Sequence, residues 1–430
     1  MHTTRSADIM FSRRSIQAAD QPIGKLMSQA LANPGLISLA AGFVDPETLP
    51  VRHVAELTAE IFADERTGME ALQYGTTSGH SGLRKQIFDT FVRPDFSQSC
   101  PLTPDNIVIT AGSNQILHLV AESLIDPGDI VIAAAPSYFV FLGSLAELGA
   151  QVIGVRADDD GIDTEQLSGI LKELDSSGQL HRLKAIYLVS YFDNPAGSTL
   201  STERRERVIS LAREYSRESR IMVLSDDAYR PLRFDVPDLP SMVSLNDAAD
   251  YVITAGTFSK SFSPGIRVGW GLLPTEVCRA VTNQKNNLDF GSPNLNQIIV
   301  QRALETGIYS THVDLLREAY QSKRDTMLTA AERYLGGIEG VRWRRPGGGL
   351  YVWLTLPPQL SASPAGPLFH LAVNHGVLYV PGQYCFPDVD LVNRTNTIRL
   401  SFGVESHERI SEGIKILAES IKETLTALSS

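Results

Sequence analysis

The stretch TFSKSFSPGIRVGW, residues 257–270, concentrates reactive side chains in a neighbourhood with almost no other charge. Thr257 and Ser259 carry hydroxyls, Lys260 an amine and Arg267 a guanidinium. Hydroxyl donors beside a guanidinium fork suit a phosphate, which accepts paired hydrogen bonds. An amine next to such a cationic seat has a depressed pKa, and that suits Schiff-base chemistry on a carbonyl. A solvated surface turn would use the same residue types, so the reading depends on what other segments supply.

They supply the rest of a site. SDDAYRPL (225–232) puts Asp226 at the end of an apolar run, with the small Ala228 and then Tyr229 following. A carboxylate there can keep a pyridine nitrogen protonated, and a tyrosine hydroxyl can bond a phenolic oxygen; Asp227 is the competing carboxylate. YFDNPAG (191–197) adds Asn194, whose amide can share that oxygen, although Asn before Pro is also ordinary turn chemistry. In TAGSNQ (110–115), Gly112, Ser113 and Asn114 open a helix and present backbone N–H groups to an anion, while Gln115 reads as scaffold. PSY (136–138) places Tyr138 where a ring could stack on a cofactor. A phosphate seat, a Schiff-base lysine and a carboxylate for a pyridine nitrogen together point to pyridoxal 5'-phosphate.

These groups need elements to position them. Apolar runs at 106–110, 129–135, 150–156, 183–190, 221–226, 251–256 and 267–273 are near-continuous and β-branched, as strands buried on both faces are. Helical stretches such as 202–218 alternate with them. The alternation predicts an α/β fold whose large domain has a mostly parallel sheet flanked by helices. The C-terminal part reads as a smaller α+β domain, with strands within 342–356, 376–382 and 397–402. An amphipathic helix closes it, with Ile410, Ile414, Leu417, Ile421, Leu425 and Leu428 on one face. We expect an N-terminal segment 1–45 that lines the substrate pocket and packs with the small domain. A large cofactor-binding domain, 46–320, and a small domain, 321–430, follow it, with a cleft between them.

At 430 residues the chain exceeds a single core. Its 49 acidic against 38 basic residues give a formal charge of −11, which argues against nucleic acid or an anionic membrane as partner. No apolar run approaches the roughly 18 residues that span a bilayer. Cys100, Cys278 and Cys385 lie far apart, so neither a disulfide framework nor a metal site is expected. The N-terminus lacks the apolar core of a signal peptide, and a cytoplasmic location is expected.

The motifs SLAAGF, QYGTTSGHSGLR, GSNQ, PSY, NPAG, DDAY, TFSK and PGIRVGW occur in one order along the chain. In that order and spacing the sequence resembles the fold-type I, pyridoxal-phosphate-dependent aminotransferases of class I/II. The likeness runs from about 33 to 425 and is strongest to the branch acting on aminoadipate, kynurenine, aromatic and branched-chain amino acids. The resemblance implies that Lys260 forms the internal aldimine and then moves the substrate α-proton. It implies that Asp226 pairs with the pyridine nitrogen, that Asn194 and Tyr229 hold the phenolic oxygen, and that Tyr138 stacks on the ring. Ser113, Asn114, Thr257, Ser259 and Arg267 would hold the phosphate. Tyr74 would reach the phosphate of the neighbouring subunit, which implies a homodimer with shared active sites. Arg399 would bind the substrate α-carboxylate, beside Asn194 and the pocket loop at Gly42; without the family it reads as a structural ion pair.

Several positions depart from the family pattern. The loop AAGFVDPETLP carries Phe43 and Val44, NPAG has Ala196 in place of a hydroxyl residue, and Ser78 and His80 replace more usual residues. No arginine stands at Gly24 or Lys25, where some relatives hold an acidic side chain. His80 reads as a loop histidine. The function expected is transfer of an amino group from an L-amino acid to a 2-oxo acid by a ping-pong cycle. One alternative is another enzyme on this scaffold: a β- or γ-lyase, a cyclase or a cyclopropane-forming synthase. The other is an effector-sensing regulator with an aminotransferase-like domain.

Overall fold

A short first strand, β1 (Ile37–Ser38), precedes the eight that make the main sheet in this computed structural model. These are β2 (Ile107–Thr110), β3 (Ile130–Ala135), β4 (Gln151–Asp158), β5 (Gly161–Ile162), β6 (Leu183–Val189), β7 (Met222–Asp226), β8 (Val252–Thr257) and β9 (Gly269–Leu272). The residues described are 10–18, 24, 33, 35–97, 99–245, 248–387 and 394–429; Lys25 lies outside them.

The sheet runs β2-β9-β8-β7-β6-β3-β4-β5. The five strands from β4 to β8 by way of β3, β6 and β7 are parallel. The run predicted at 267–273 becomes β9, antiparallel to both β2 and β8, and β5 turns back antiparallel on β4. Every residue of β3, β7 and β8 is buried, which is why these strands read as unbroken apolar runs. The two-residue strand period splits the core between the faces. Ala185, Tyr187, Val189, Leu224 and Ile253 belong to one apolar cluster, and Ile186, Leu188, Val223 and Val252 to the other.

Five helices matter for the site: α1 (Ser113–Leu124), α2 (Phe139–Glu147), α3 (Thr202–Tyr215), α4 (Ile308–Leu335) and α5 (His407–Ser429). Helix α3 starts on the Ser201 side chain, which accepts from the Arg204 N–H, and it stops at 215 rather than 218. The boundary expected near 320 falls inside the 28-residue α4.

The C-terminal strands β10 (Arg342–Trp343), β11 (Tyr351–Thr355), β12 (Val377–Leu378), β13 (Val380–Pro381) and β14 (Thr397–Ser401) do not form one sheet. Four make an antiparallel sheet in the order β10-β11-β14-β13, whereas β12 pairs in parallel with β1. The stretch 376–382 is thus two strands with different partners. Helix α5 buries Ile410, Ile414, Leu417 and Ile421, while Leu428 at its end is exposed. Residues near β1 are fixed from this side: the Ser38 N–H donates to Glu405 Oε1 at 2.7 Å. Asp45 bonds Lys323 of α4 in a buried ion pair at 2.5 Å, and its N–H donates to the Tyr320 hydroxyl at 3.0 Å.

Candidate active site

Strands β3, β6, β7 and β8 end along one edge of the main sheet, where open α/β sheets place their sites. A cavity of about 150 Å³ lies there. Its walls include Ser113, Asn114, Tyr138, Asn194, Asp226, Tyr229, Thr257, Ser259, Lys260 and Arg267. Ten of the residues singled out by type and spacing, from Ser113 to Arg267, therefore share one hollow.

Lys260 follows β8 by three residues and its Nζ donates to the Gly42 carbonyl at 2.7 Å. Burial pulls the amine below its ordinary range, and the Arg399 and Arg267 charges add to this while Tyr351 opposes it. Gly42 is required by its surroundings: a Cβ there would stand 2.7 Å from the Tyr351 hydroxyl.

At the other end of the cavity sits an anion cradle. Helix α1 begins at Gly112 with no side-chain cap, so its first N–H groups face the hollow. Gly112 has φ 94°, and a Cβ on it would meet Arg267 Nη2 at 2.7 Å. Arg267 itself is exposed, in the left-handed region at φ 53°. Its Nη2 donates to the Ala111 carbonyl at 2.6 Å and its Nη1 to Pro264 O at 3.4 Å. The Thr257 hydroxyl donates to Ser259 Oγ at 2.9 Å. Gln115 serves as scaffold: its Oε1 accepts from the Ala111 N–H and its Nε2 donates to Asp289.

Strand alternation sends Asp226 and Asp227 to opposite faces of the sheet. Asp226 faces the cavity; Asp227 faces a different one behind the sheet. Asp226 Oδ2 accepts from the Tyr187 hydroxyl at 3.2 Å and Oδ1 from the Ala228 N–H at 3.2 Å. Burial pushes its pKa up to about 7, with the Asp227 charge contributing in the same direction. Such a carboxyl gains most from a cationic partner.

Four side chains then close a ring of contacts. Arg399 on β14 is 2% exposed; its Nη1 donates to Asn194 Oδ1 at 2.9 Å and its Nη2 to the Ala40 carbonyl at 2.7 Å. Asn194 Nδ2 reaches the Tyr229 hydroxyl at 3.5 Å, and that hydroxyl meets the Tyr351 hydroxyl at 3.2 Å. The Tyr351 ring lies 4.4 Å beneath the Arg399 guanidinium, returning to the start. Arg399 Nε is buried with no acceptor, and no carboxylate pairs with this arginine among the described residues. Without the family resemblance it read as half of a structural ion pair; among the described residues no carboxylate compensates its charge.

Tyr138 caps the cavity at the start of α2, with its hydroxyl donating to Asn114 Oδ1 at 3.3 Å; burial raises that phenol to about 12. Tyr74 stands apart, 84% exposed, its ring 6.3 Å from that of the exposed Phe290. His80 is not in the cavity wall; its Nε2 is 3.5 Å from Glu70 Oε1 and its N–H donates to Gln297 at 2.7 Å. Tyr351 and Tyr187 went unnoticed in the sequence. A tyrosine in the apolar run of β6 is itself a signal, because a buried hydroxyl needs a polar partner. Tyr351 was missed because its partners lie far off in the sequence, Tyr229 well before it and Arg399 on β14 after it.

The residues fit pyridoxal 5'-phosphate. A phosphate suits the uncapped N-terminus of α1 and the guanidinium of Arg267, whose hydrogen-bond partners among the described residues are carbonyls. A protonated pyridine suits the buried Asp226, and an aldehyde suits the depressed amine of Lys260.

Comparison with known proteins agrees. Residues 34–417 match the family described as aminotransferase class I and II. The chain is 34% identical over 415 residues to aromatic-amino-acid aminotransferase 1 of Thermococcus litoralis, covering 96% of this chain and 94% of that one. It is 34% identical to the 2-aminoadipate transaminase of Thermus thermophilus, covering 90% and 91%. The crystal structure of Pyrococcus horikoshii kynurenine aminotransferase in complex with PMP superposes with a TM-score of 0.87 at 33% identity, covering 98% and 99%. These matches do not favour the lyase, cyclase or regulator alternatives. The chain belongs to the class I and II aminotransferases, with pyridoxal 5'-phosphate as its cofactor and transfer of an amino group as its reaction.

Proposed function

We propose that this aminotransferase works with Lys260 as base, Asp226 as partner of the cofactor's pyridine nitrogen and Arg399 as receptor for the substrate α-carboxylate. The observation that carries the reading is the uncompensated guanidinium of Arg399, buried beside the Lys260 cavity. Every amino acid and every 2-oxo acid, whatever its side chain, carries a carboxylate on the reacting carbon, so a receptor for that group serves both half-reactions.

When bound, the cofactor supplies a carbonyl for the amine and an electron sink for the α-carbon. The chain supplies the rest. Ser113, Asn114, Thr257, Ser259 and Arg267 hold the phosphate. Asn194 and Tyr229 offer hydrogen bonds to the phenolic oxygen, and Tyr138 gives a stacking face. Arg399 fixes the carboxylate and, through Asn194, the orientation of the substrate. Burial, with two neighbouring arginines, lowers the pKa of the Lys260 amine against the opposing effect of Tyr351, which favours its role of accepting the α-proton and returning it elsewhere. Gly42 keeps the loop backbone close enough for its carbonyl to hold Nζ between those tasks.

The donor we favour has an aromatic or long side chain. Phe43, 42% exposed beside Gly42, gives the pocket loop an apolar rim, and the relatives above are named for aromatic amino acids, 2-aminoadipate and kynurenine. A homodimer is supported by exposed apolar groups around Tyr74, namely Met69, Leu72, Leu288 and Phe290. A cytoplasmic location is supported by three cysteines that are all free. No described helix is long and apolar enough to cross a membrane, and no described cluster could hold a metal ion.

The test is a single-turnover half-reaction. Cofactor-loaded protein is mixed with aromatic, acidic and aliphatic amino acids, and 2-oxo acid release is quantified. One equivalent of 2-oxo acid per site, with further turnover only after a second 2-oxo acid is added, is the expected result. Ammonia release without an added acceptor would overturn it.

A further inference from the structure

Behind the main sheet, on the face opposite Asp226, lies a second cavity of about 290 Å³. Its aromatic wall is built from Phe91, Trp270, Phe258 and Tyr309. Phe91 lies 6.0 Å from Trp270 at 22°, 6.0 Å from Phe258 at 68° and 5.7 Å from Tyr309 at 88°. The Trp270 ring lies over Gly256, where any Cβ would collide with the indole, so the strand surface stays flat at this point. Facing the hollow is Thr254, 2% exposed, whose Oγ1 has no hydrogen-bond partner among the described residues.

A buried hydroxyl without a partner is uncommon and calls for an explanation. The charged groups at the rim do not provide one, because they satisfy each other. Arg230 makes two bonds to Asp95 at 2.6 and 2.7 Å and two to Asp238 at 3.2 and 3.3 Å; Arg317 bonds Asp314 at 3.0 Å. Asp227 accepts from the Ser225 hydroxyl at 2.6 Å. Among the described residues the cavity therefore lies against flat aromatic surface and one unsatisfied buried hydroxyl, with no unpaired cation to hold an anion.

We propose that this rear cavity is a ligand site, distinct from the Lys260 cavity, for a small neutral aromatic molecule carrying one N–H or O–H group that bonds Thr254. The ring packs in the aromatic wall, and the donor reaches Thr254 Oγ1. The volume holds a bicyclic ring, near the lower end of small-molecule pockets. Thr257 borders both cavities, so the occupant sits across one strand from the phosphate seat. This proposal does not depend on the reading of Lys260 or of the substrate.

Indole and indene, alike in shape but differing in the N–H, serve as probes. Binding is measured by calorimetry on cofactor-loaded protein reduced with borohydride, which keeps the Lys260 cavity filled. Indole is expected to bind once per chain and about fivefold tighter than indene, the worth of one modest hydrogen bond. Thr254→Val should erase that advantage and leave indene binding unchanged. Val313→Phe, which fills the cavity from α4, should abolish both. Equal affinity of the unmodified protein for the two probes overturns the role of Thr254 without needing any variant to fold. Failure of indole to bind, or full binding to Val313→Phe, overturns the site itself.

Discussion

Replacing Arg399 with lysine keeps the charge but removes the planar fork. The guanidinium uses one N–H on Asn194 Oδ1 and one on the Ala40 carbonyl, and its Nε has no acceptor. The remaining donors can take a carboxylate with two parallel bonds, whereas a lysine ammonium acts as a point charge. The flat stack on Tyr351 at 4.4 Å is weakened as well. Losing one charge-assisted bond is worth about 1.5–3 kcal/mol, so kcat/KM for amino acids should fall roughly 10- to 150-fold. The assay is the single-turnover conversion of the cofactor's visible band, run with the best amino donor and with its decarboxylated amine. The amine has no carboxylate for Arg399 and should lose less than about threefold. The 2-oxo acid half-reaction should fall by the same factor as the amino acid one. Equal losses for amino acid and amine, or an amino acid loss below about threefold, would refute the carboxylate role.

Three further outcomes follow from the geometry. Asp226→Asn should lower kcat by about 10²–10³, as expected for removing one preorganised electrostatic group, whereas Asp227→Asn, on the far face, should change it less than about threefold; similar losses in steady-state kinetics would contradict the assignment by strand alternation. Tyr351→Phe removes a hydroxyl 3.2 Å from that of Tyr229 and should move the pH midpoint of the loaded enzyme's visible band upward by at most about one unit, with the melting temperature little changed; an unmoved midpoint would show that the contact is idle. The pH dependence of the cofactor-free protein has a definite sign. Burial raises Asp226 to about 7 and Asp227 to about 6, and lifts Asp193 well above the carboxylate range, whereas unfolded aspartates ionise near about 4. Between those values the folded state binds more protons than the unfolded chain, so stability falls as pH rises. Thermal scans should therefore give a lower Tm at pH 7.5 than at 5.5, with a flatter slope for Asp226→Asn; a Tm that climbs over this range would be incompatible with these shifts.

The sequence by itself determined the strand run, the α/β class and the cofactor chemistry. Strands buried on both faces must be apolar along their length, so β3, β6, β7 and β8 announced themselves. The groups a phosphate, a pyridine nitrogen and a carbonyl need are restricted in type, and they fall at strand ends within a few residues of each other: Thr257 to Arg267, and Asp226 to Tyr229. What only the tertiary structure decided depends on pairing between distant segments. Strand pleat, not residue type, sends Asp226 to the Lys260 cavity and Asp227 to the rear cavity. The split of 376–382 between β1 and the small sheet depends on which neighbours arrive, and nothing local encodes them. The same holds for the ring from Arg399 through Asn194 and Tyr229 to Tyr351. Its members span more than 200 residues, each is plausible elsewhere as core or turn, and their meaning comes from burial together without a counter-charge.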